Sequence, residues 1–98
     1  MTRLLVIDDH AVVRQGLIQA FHENGFTSIE SAGTLSQARS KIAAFNPEVI
    51  IVDLNLPDGS GLEIVQWVRK HSTDVVIIVL SLNDPMQYVK IARNSGAN

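Results

Sequence analysis

The sequence contains no cysteine. That excludes a disulfide framework and any thiolate metal site, and it is compatible with a reducing, cytoplasmic setting. Runs of lysine or arginine are missing too: 8 basic and 10 acidic residues are scattered along the chain and leave a formal charge of −2. No basic field is available to hold nucleic acid, so DNA could be reached only through an output domain outside this chain. No apolar segment approaches the ~20 residues that cross a bilayer, which predicts no membrane partner. The N-terminus runs directly into strand-like sequence without a signal-peptide pattern. Repeats, low-complexity tracts and linker-like stretches are absent. What is present is a 98-residue chain, 46% hydrophobic and 18% charged. It reads as one soluble domain over residues 1–98, long enough to bury roughly 60–70% of its unfolded surface.

The most informative stretch is Val49-Ile50-Ile51-Val52-Asp53-Leu54-Asn55-Leu56-Pro57-Asp58-Gly59. Its β-branched run is too short for a typical helix and reads as a strand covered on both faces, as in a parallel sheet. The run ends abruptly at Asp53, where a polar loop containing proline and glycine begins. Open α/β sheets bind ligands outside the carboxyl ends of their strands, so Asp53 stands where chemistry would occur. An aspartate there could equally do no more than accept hydrogen bonds from loop amides.

The remaining elements fall around that strand. Arg3–Ile7 reads as a first buried strand closed by Asp8-Asp9. Val13, Leu17, Ala20 and Phe21 recur at helical spacing, with Gly25 as a C-terminal stop. Residues 27–31 are more polar and read as an edge strand. Thr34-Leu35-Ser36-Gln37 fits a capping box, and Leu35, Ala38, Ile42 and Phe45 form a helical face that must end before Pro47. A third helix is expected from about Gly61 to His71, with Leu62, Ile64, Val65 and Val68 toward the core. Val75–Leu80 reads as a fourth strand ending in Ser81, and Asp84-Pro85 opens a last helix that ends near Gly96. Strands and helices alternate throughout, which predicts an α/β doubly wound parallel sheet with right-handed crossovers.

In such a sheet the strand ends carrying Asp8-Asp9, Asp53 and Ser81 share one edge. Carboxylates brought that close raise one another's pKa, and a hard divalent cation relieves the repulsion. Mg²⁺ suits an all-oxygen set of this kind. The simpler alternative is that Asp9 only caps the first helix. His10 is expected to serve the first helical turn, and His22 and His71 to be solvated near helix ends. Trp67 is expected either to cover part of the third helix or to mark a surface contact.

Asp8-Asp9, Asp53-x-x-x-Pro57-x-x-x-Gly61 and Ser81, each after a strand, resemble the response-regulator receiver domain of two-component signalling. The opening Asp8-Asp9-His10-x-x-Val13-Arg14-x-Gly16-Leu17 further resembles receivers of LuxR-type DNA-binding regulators. The resemblance implies a flavodoxin-like fold with strand order 2-1-3-4 and a switch in which Asp53 takes a phosphoryl group from a sensor histidine kinase. It implies Mg²⁺ held by Asp9 and Asp53 directly, by Asp8 through water and by the backbone carbonyl of Asn55. Ser81 would hydrogen-bond the new phosphoryl group. Such a domain is not an enzyme toward other substrates, performing only self-phosphotransfer and slow autodephosphorylation, and its output is transcriptional regulation.

Two departures stand beside the resemblance. Leu82 occupies a place where the family often has a small residue. The expected fifth strand, its phosphate-binding lysine and the fifth helix do not follow Asn98, and neither Lys70 nor Lys90 can replace that lysine. This reads as a C-terminally truncated receiver. It predicts slow or absent phosphorylation of these residues alone, and a homodimer through the fourth-strand edge or the uncovered sheet face, a swapped arrangement, or dependence on residues beyond Asn98. Two other functions compete: a receiver-like interaction module that is never phosphorylated, and a Mg²⁺-dependent aspartyl phosphohydrolase. The hydrolase requires a second acid where Asn55 stands. A dinucleotide site fails because Asp8-Asp9-His10 replaces the glycines of the first turn.

Overall fold

The computed structural model describes residues 2–71 and 74–80. The helix expected from Asp84 to Gly96 lies outside them, as do Ser81, Leu82 and Lys90. In chain order the elements are β1 (Arg3–Ile7), α1 (Ala11–Glu23), β2 (Ser28–Ala32), α2 (Leu35–Phe45) and β3 (Val49–Asp53). They continue with β4 (Asn55–Leu56), β5 (Gly59–Ser60), α3 (Leu62–His71) and β6 (Val76–Leu80).

The four long strands form one parallel sheet in the order β2-β1-β3-β6. This is the expected flavodoxin-like order, with β6 as the fourth long strand. Two short strands intervene because the segment after β3 is more than a loop: Asn55–Leu56 pairs antiparallel with Gly59–Ser60. The sequence reading placed a plain loop there. Asp53 pairs with Leu80 at the carboxyl edge, and Ile7 lies between Ala32 and Val52.

Alternation along the strands divides the core between the two faces. Leu5, Ile7, Ile50, Val52 and Ile77 pack with Leu35 and Ala38 of α2 and with Ile64, Val65 and Val68 of α3. Leu4, Val6 and Ile51 point the other way, against Leu17, Ile18 and Phe21 of α1. Because both faces are covered at the centre of the sheet, Leu4–Ile7 of β1 and Val49–Val52 of β3 are continuous apolar runs. Trp67 packs against the core on the α2–α3 side, so it covers the sheet layer from the third helix. Strand β2 lies at one edge and carries Glu30, whose Oε1 accepts a hydrogen bond from Lys41 Nζ at 2.7 Å.

Helix α1 departs from its expected phase. Val13 and Ala20 are exposed, and the residues that meet the sheet are Leu17, Ile18 and Phe21. With Arg14 these positions form a regular i, i+3, i+4, i+7 stripe. An arginine heads an otherwise apolar stripe because its guanidinium Nη1 donates to the Asp8 carbonyl at 2.6 Å. Helix α2 ends as expected before Pro47, through Asn46 in the left-handed region at φ 53°.

Candidate functional site

The carboxyl ends of β1 and β3 bring Asp8, Asp9, His10 and Asp53 together, with one potential ligand atom from each lying within 4.8 Å of the others. Asp8 and Asp53 are buried, at 4% and 8% exposure. Asp9 is partly open, its side chain 30% exposed, and faces the same centre from the start of the β1–α1 turn.

Asp8 and Asp53 are each held by a backbone amide two residues on. Asp8 Oδ1 accepts the His10 amide at 2.8 Å, while Arg14 pulls on the Asp8 carbonyl from the first turn of α1. Asp53 Oδ1 accepts the Asn55 amide at 3.0 Å. Gly61 approaches the Asp53 backbone so closely that an added Cβ would collide with the Asp53 carbonyl oxygen. The Gly61 amide also donates to the Leu54 carbonyl at 2.9 Å. On the other side the Leu54 amide donates to Leu80 at the end of β6.

Burial raises the Asp53 carboxyl above its ordinary pKa of 3.8, and the neighbouring Asp8 and Asp9 charges push the same way. The Asn55 amide and His10 oppose this without reversing it. Asp53 is therefore a carboxylate whose negative charge is disfavoured until something positive arrives. Asp53 meets the loop through the Asn55 amide, as the simpler alternative expects, and two further acids face it as well.

Asp9 does not cap α1. The N-cap residue is His10, and its side chain makes no capping bond. His10 instead turns its Nδ1 toward the acids, 3.0 Å from Asp9 and 3.3 Å from Asp8. Reading it as a helix-turn residue captured its position but missed its contact with the cluster, although adjacency to two aspartates was a signal. Asn55 lies in β4, exposed and two residues beyond Asp53. Ser81 lies outside the described residues.

Asp58 escaped the sequence reading altogether. From the turn between β4 and β5 its Oδ1 accepts the Leu35 amide at 2.7 Å and its Oδ2 the Ser36 amide at 3.2 Å. These amides lie in the first turn of α2 and hold the Asp58 carboxyl below its ordinary pKa. Thr34 Oγ1 accepts the Gln37 amide as a capping box requires. The Gln37 side chain, however, takes the Gly33 amide, one residue before the cap. Asp58 thus completes the helix end from 23 residues away, a partnership that local sequence does not announce.

The sequence matches the family described as the response regulator receiver domain over residues 4–98. The transcriptional regulatory protein KdpE of Staphylococcus aureus is 36% identical over 95 residues, which cover 97% of this chain and 40% of that protein. The chain therefore spans well under half of that relative. A two-component response regulator from Clostridium difficile superposes with a TM-score of 0.91 at 28% identity, covering 100% of this chain and 79% of the other. A response regulator from Burkholderia pseudomallei, whose structure holds a phosphorylated aspartic acid, a calcium ion and citrate, gives 0.88 at 28% identity over 99% of this chain and 56% of that one.

Proposed function

The chain belongs to the response regulator receiver domain family, and from that premise we propose that it is a phosphorylation-dependent switch with Asp53 as its phosphoacceptor. The observation that carries this reading is the meeting of Asp8, Asp9 and Asp53 oxygens within 4.8 Å at the carboxyl edge of a parallel sheet.

The donor set fits a hard divalent cation such as Mg²⁺: three carboxylates offer oxygen within 4.8 Å of one another, two of them buried. Asp9 and Asp53 would hold the ion directly, Asp8 through water, and Asn55 by its carbonyl. When bound, it supplies neutralising charge at the site of phosphoryl transfer. The chain's own residues do the rest. Asn55 engages Asp53 Oδ1, which leaves Oδ2 to attack phosphorus. An O–P bond forms to Asp53 as the N–P bond of a kinase phosphohistidine breaks, and the departing imidazole nitrogen regains a proton. Ser81 would then hydrogen-bond the phosphoryl group.

On this reading the phosphodonor is a sensor histidine kinase, and the domain acts on no substrate but itself. The output is transcriptional, as the names of the relatives suggest. The setting is cytoplasmic; among the described residues no helix is long and apolar enough to cross a membrane. The exposed Val76 and Ile78 of β6 support pairing with a second copy.

The experiment is acetyl-phosphate treatment of the complete protein with and without Mg²⁺, read by intact mass. One Mg²⁺-dependent phosphoryl group is expected, labile to hydroxylamine and absent from Asp53→Asn. A hydroxylamine-stable mark on Ser60 or Ser81 would overturn the assignment.

A further inference from the structure

Three features place Asp58 between the acidic site and α2. The first is its two-oxygen grip on the Leu35 and Ser36 amides. The second is packing at the tip of the hairpin. Gly59 has φ +149° and sits so close to Leu35 Cδ1 and Glu63 Oε2 that a Cβ there would meet both. Leu35 is the residue whose amide Asp58 takes, and its side chain is buried in the core. The third is the far arm of the hairpin, where the Ser60 amide donates to Glu63 Oε2 at 3.3 Å and Glu63 pairs with Arg39 of α2 at 3.6 Å. The short β4–β5 ladder is thus tied to α2 at its turn and to α3 at its end. Its first residue is Asn55, whose amide holds Asp53.

We propose that Asp58 is a positioning residue for the metal site: it fastens the β4–β5 hairpin, and with it Asn55, to the first turn of α2. Metal binding and the order of that turn are then coupled. The proposal rests on reading Asp8, Asp9, Asp53 and Asn55 as a Mg²⁺ site. Without the Asp58 bonds the hairpin keeps its narrow ladder, the Ser60–Glu63 bond and the burial of Leu56 in the core, but its turn loses the hydrogen bonds that join it to α2. Asn55 would then sample orientations in which its carbonyl is lost to the ion and its amide to Asp53. Coupling of this kind is reciprocal. An ion that fixes Asn55 steadies the hairpin, and the hairpin steadies the amides of Leu35 and Ser36.

The test is calorimetric titration of the protein with MgCl₂, together with amide exchange at Leu35 and Ser36 with and without Mg²⁺. Asp58→Ala is expected to weaken Mg²⁺ binding about tenfold, the range seen when an outer-shell partner of a metal ligand is removed. Mg²⁺ should slow exchange at Leu35 and Ser36 in the parent and leave it unchanged in Asp58→Ala. Asp58→Asn keeps an acceptor oxygen for the Leu35 amide while losing the charge. Recovery of most of the affinity in that variant supports positioning, and equal loss in both variants would mean that Asp58 acts only through its charge and overturns the proposal. Thr34→Ala removes the other cap of the same helix end, the bond to Gln37, without touching the hairpin, and should leave Mg²⁺ affinity unchanged. An equal loss in Thr34→Ala and Asp58→Ala would show a merely structural effect and overturn the proposal. If the parent binds Mg²⁺ and Asp58→Ala binds it as well, the proposal alone falls. If the parent binds none, the reading of the site falls with it.

Discussion

Replacing Asp53 by asparagine should make the metal-free protein more stable. The substitution preserves shape and removes one charge from a site where Asp8 and Asp9 oxygens lie within 4.8 Å. At that separation two unit charges repel by roughly 3 kcal/mol with an effective dielectric of about 20. Partial exposure of Asp9 and the nearby His10 reduce the sum. The bond from the Asn55 amide also weakens by about 1 kcal/mol when its acceptor becomes neutral. A net gain of about 2 kcal/mol remains, which for a domain of this size raises Tm by on the order of 10 °C. The gain depends on pH in a defined sense. Folded Asp53 holds its proton above the ordinary pKa of 3.8. The native state therefore binds more protons than the unfolded state through that window, and parent stability falls as pH rises across it. The difference between variant and parent should be absent below that window and full above it. Urea denaturation in EDTA at neutral and at acid pH measures both arms. Mg²⁺ should then stabilise the parent more than Asp53→Asn, because the parent has the extra ligand. A variant no more stable than the parent at neutral pH, or a gap that persists unchanged in acid, would refute the electrostatic reasoning.

Two further substitutions probe the frame around the site. Gly61→Ala should destabilise by about 1–3 kcal/mol, as overpacking does, since its Cβ meets the Asp53 carbonyl and Val52 Cγ2; denaturant midpoints check this. Gly16→Ala should instead stabilise by about 0.5–1 kcal/mol, because Gly16 lies within α1 with nothing near the added methyl; a lower Tm for that variant would show the reasoning wrong.

The long strands were legible because a parallel sheet covered on both faces leaves an unbroken apolar run, and Arg3–Ile7 and Val49–Val52 are such runs. The convergence of Asp8, Asp9 and Asp53 followed, since parallel strands place their carboxyl ends on one edge. The phase of α1 was misread because hydrophobicity alone favoured Val13 and Ala20. Arg14 takes the sheet-facing position through a bond to a backbone carbonyl, which no apolar pattern records. The β4–β5 ladder was missed because Pro57 and Gly59 read as loop punctuation. Its pairing is secured by α2 and α3 rather than by its own sequence. Asp58 escaped for the same reason, since its partners Leu35 and Ser36 are brought to it by tertiary approach.

The central place of β1 has a consequence for synthesis on the ribosome. Its neighbours in the sheet are β2 and β3, both made after it. At typical elongation rates the interval between completing residue 7 and completing residue 53 is roughly 2–10 s. Throughout that time Leu4-Leu5-Val6-Ile7, every one of them fully buried at the end, have at most one strand to lie against. Strand β1 is thus translated before both of the strands it must pair with. A nascent chain stalled before β3 should carry β1 as an adhesive strand lacking one partner, a natural client for chaperones that bind short apolar segments.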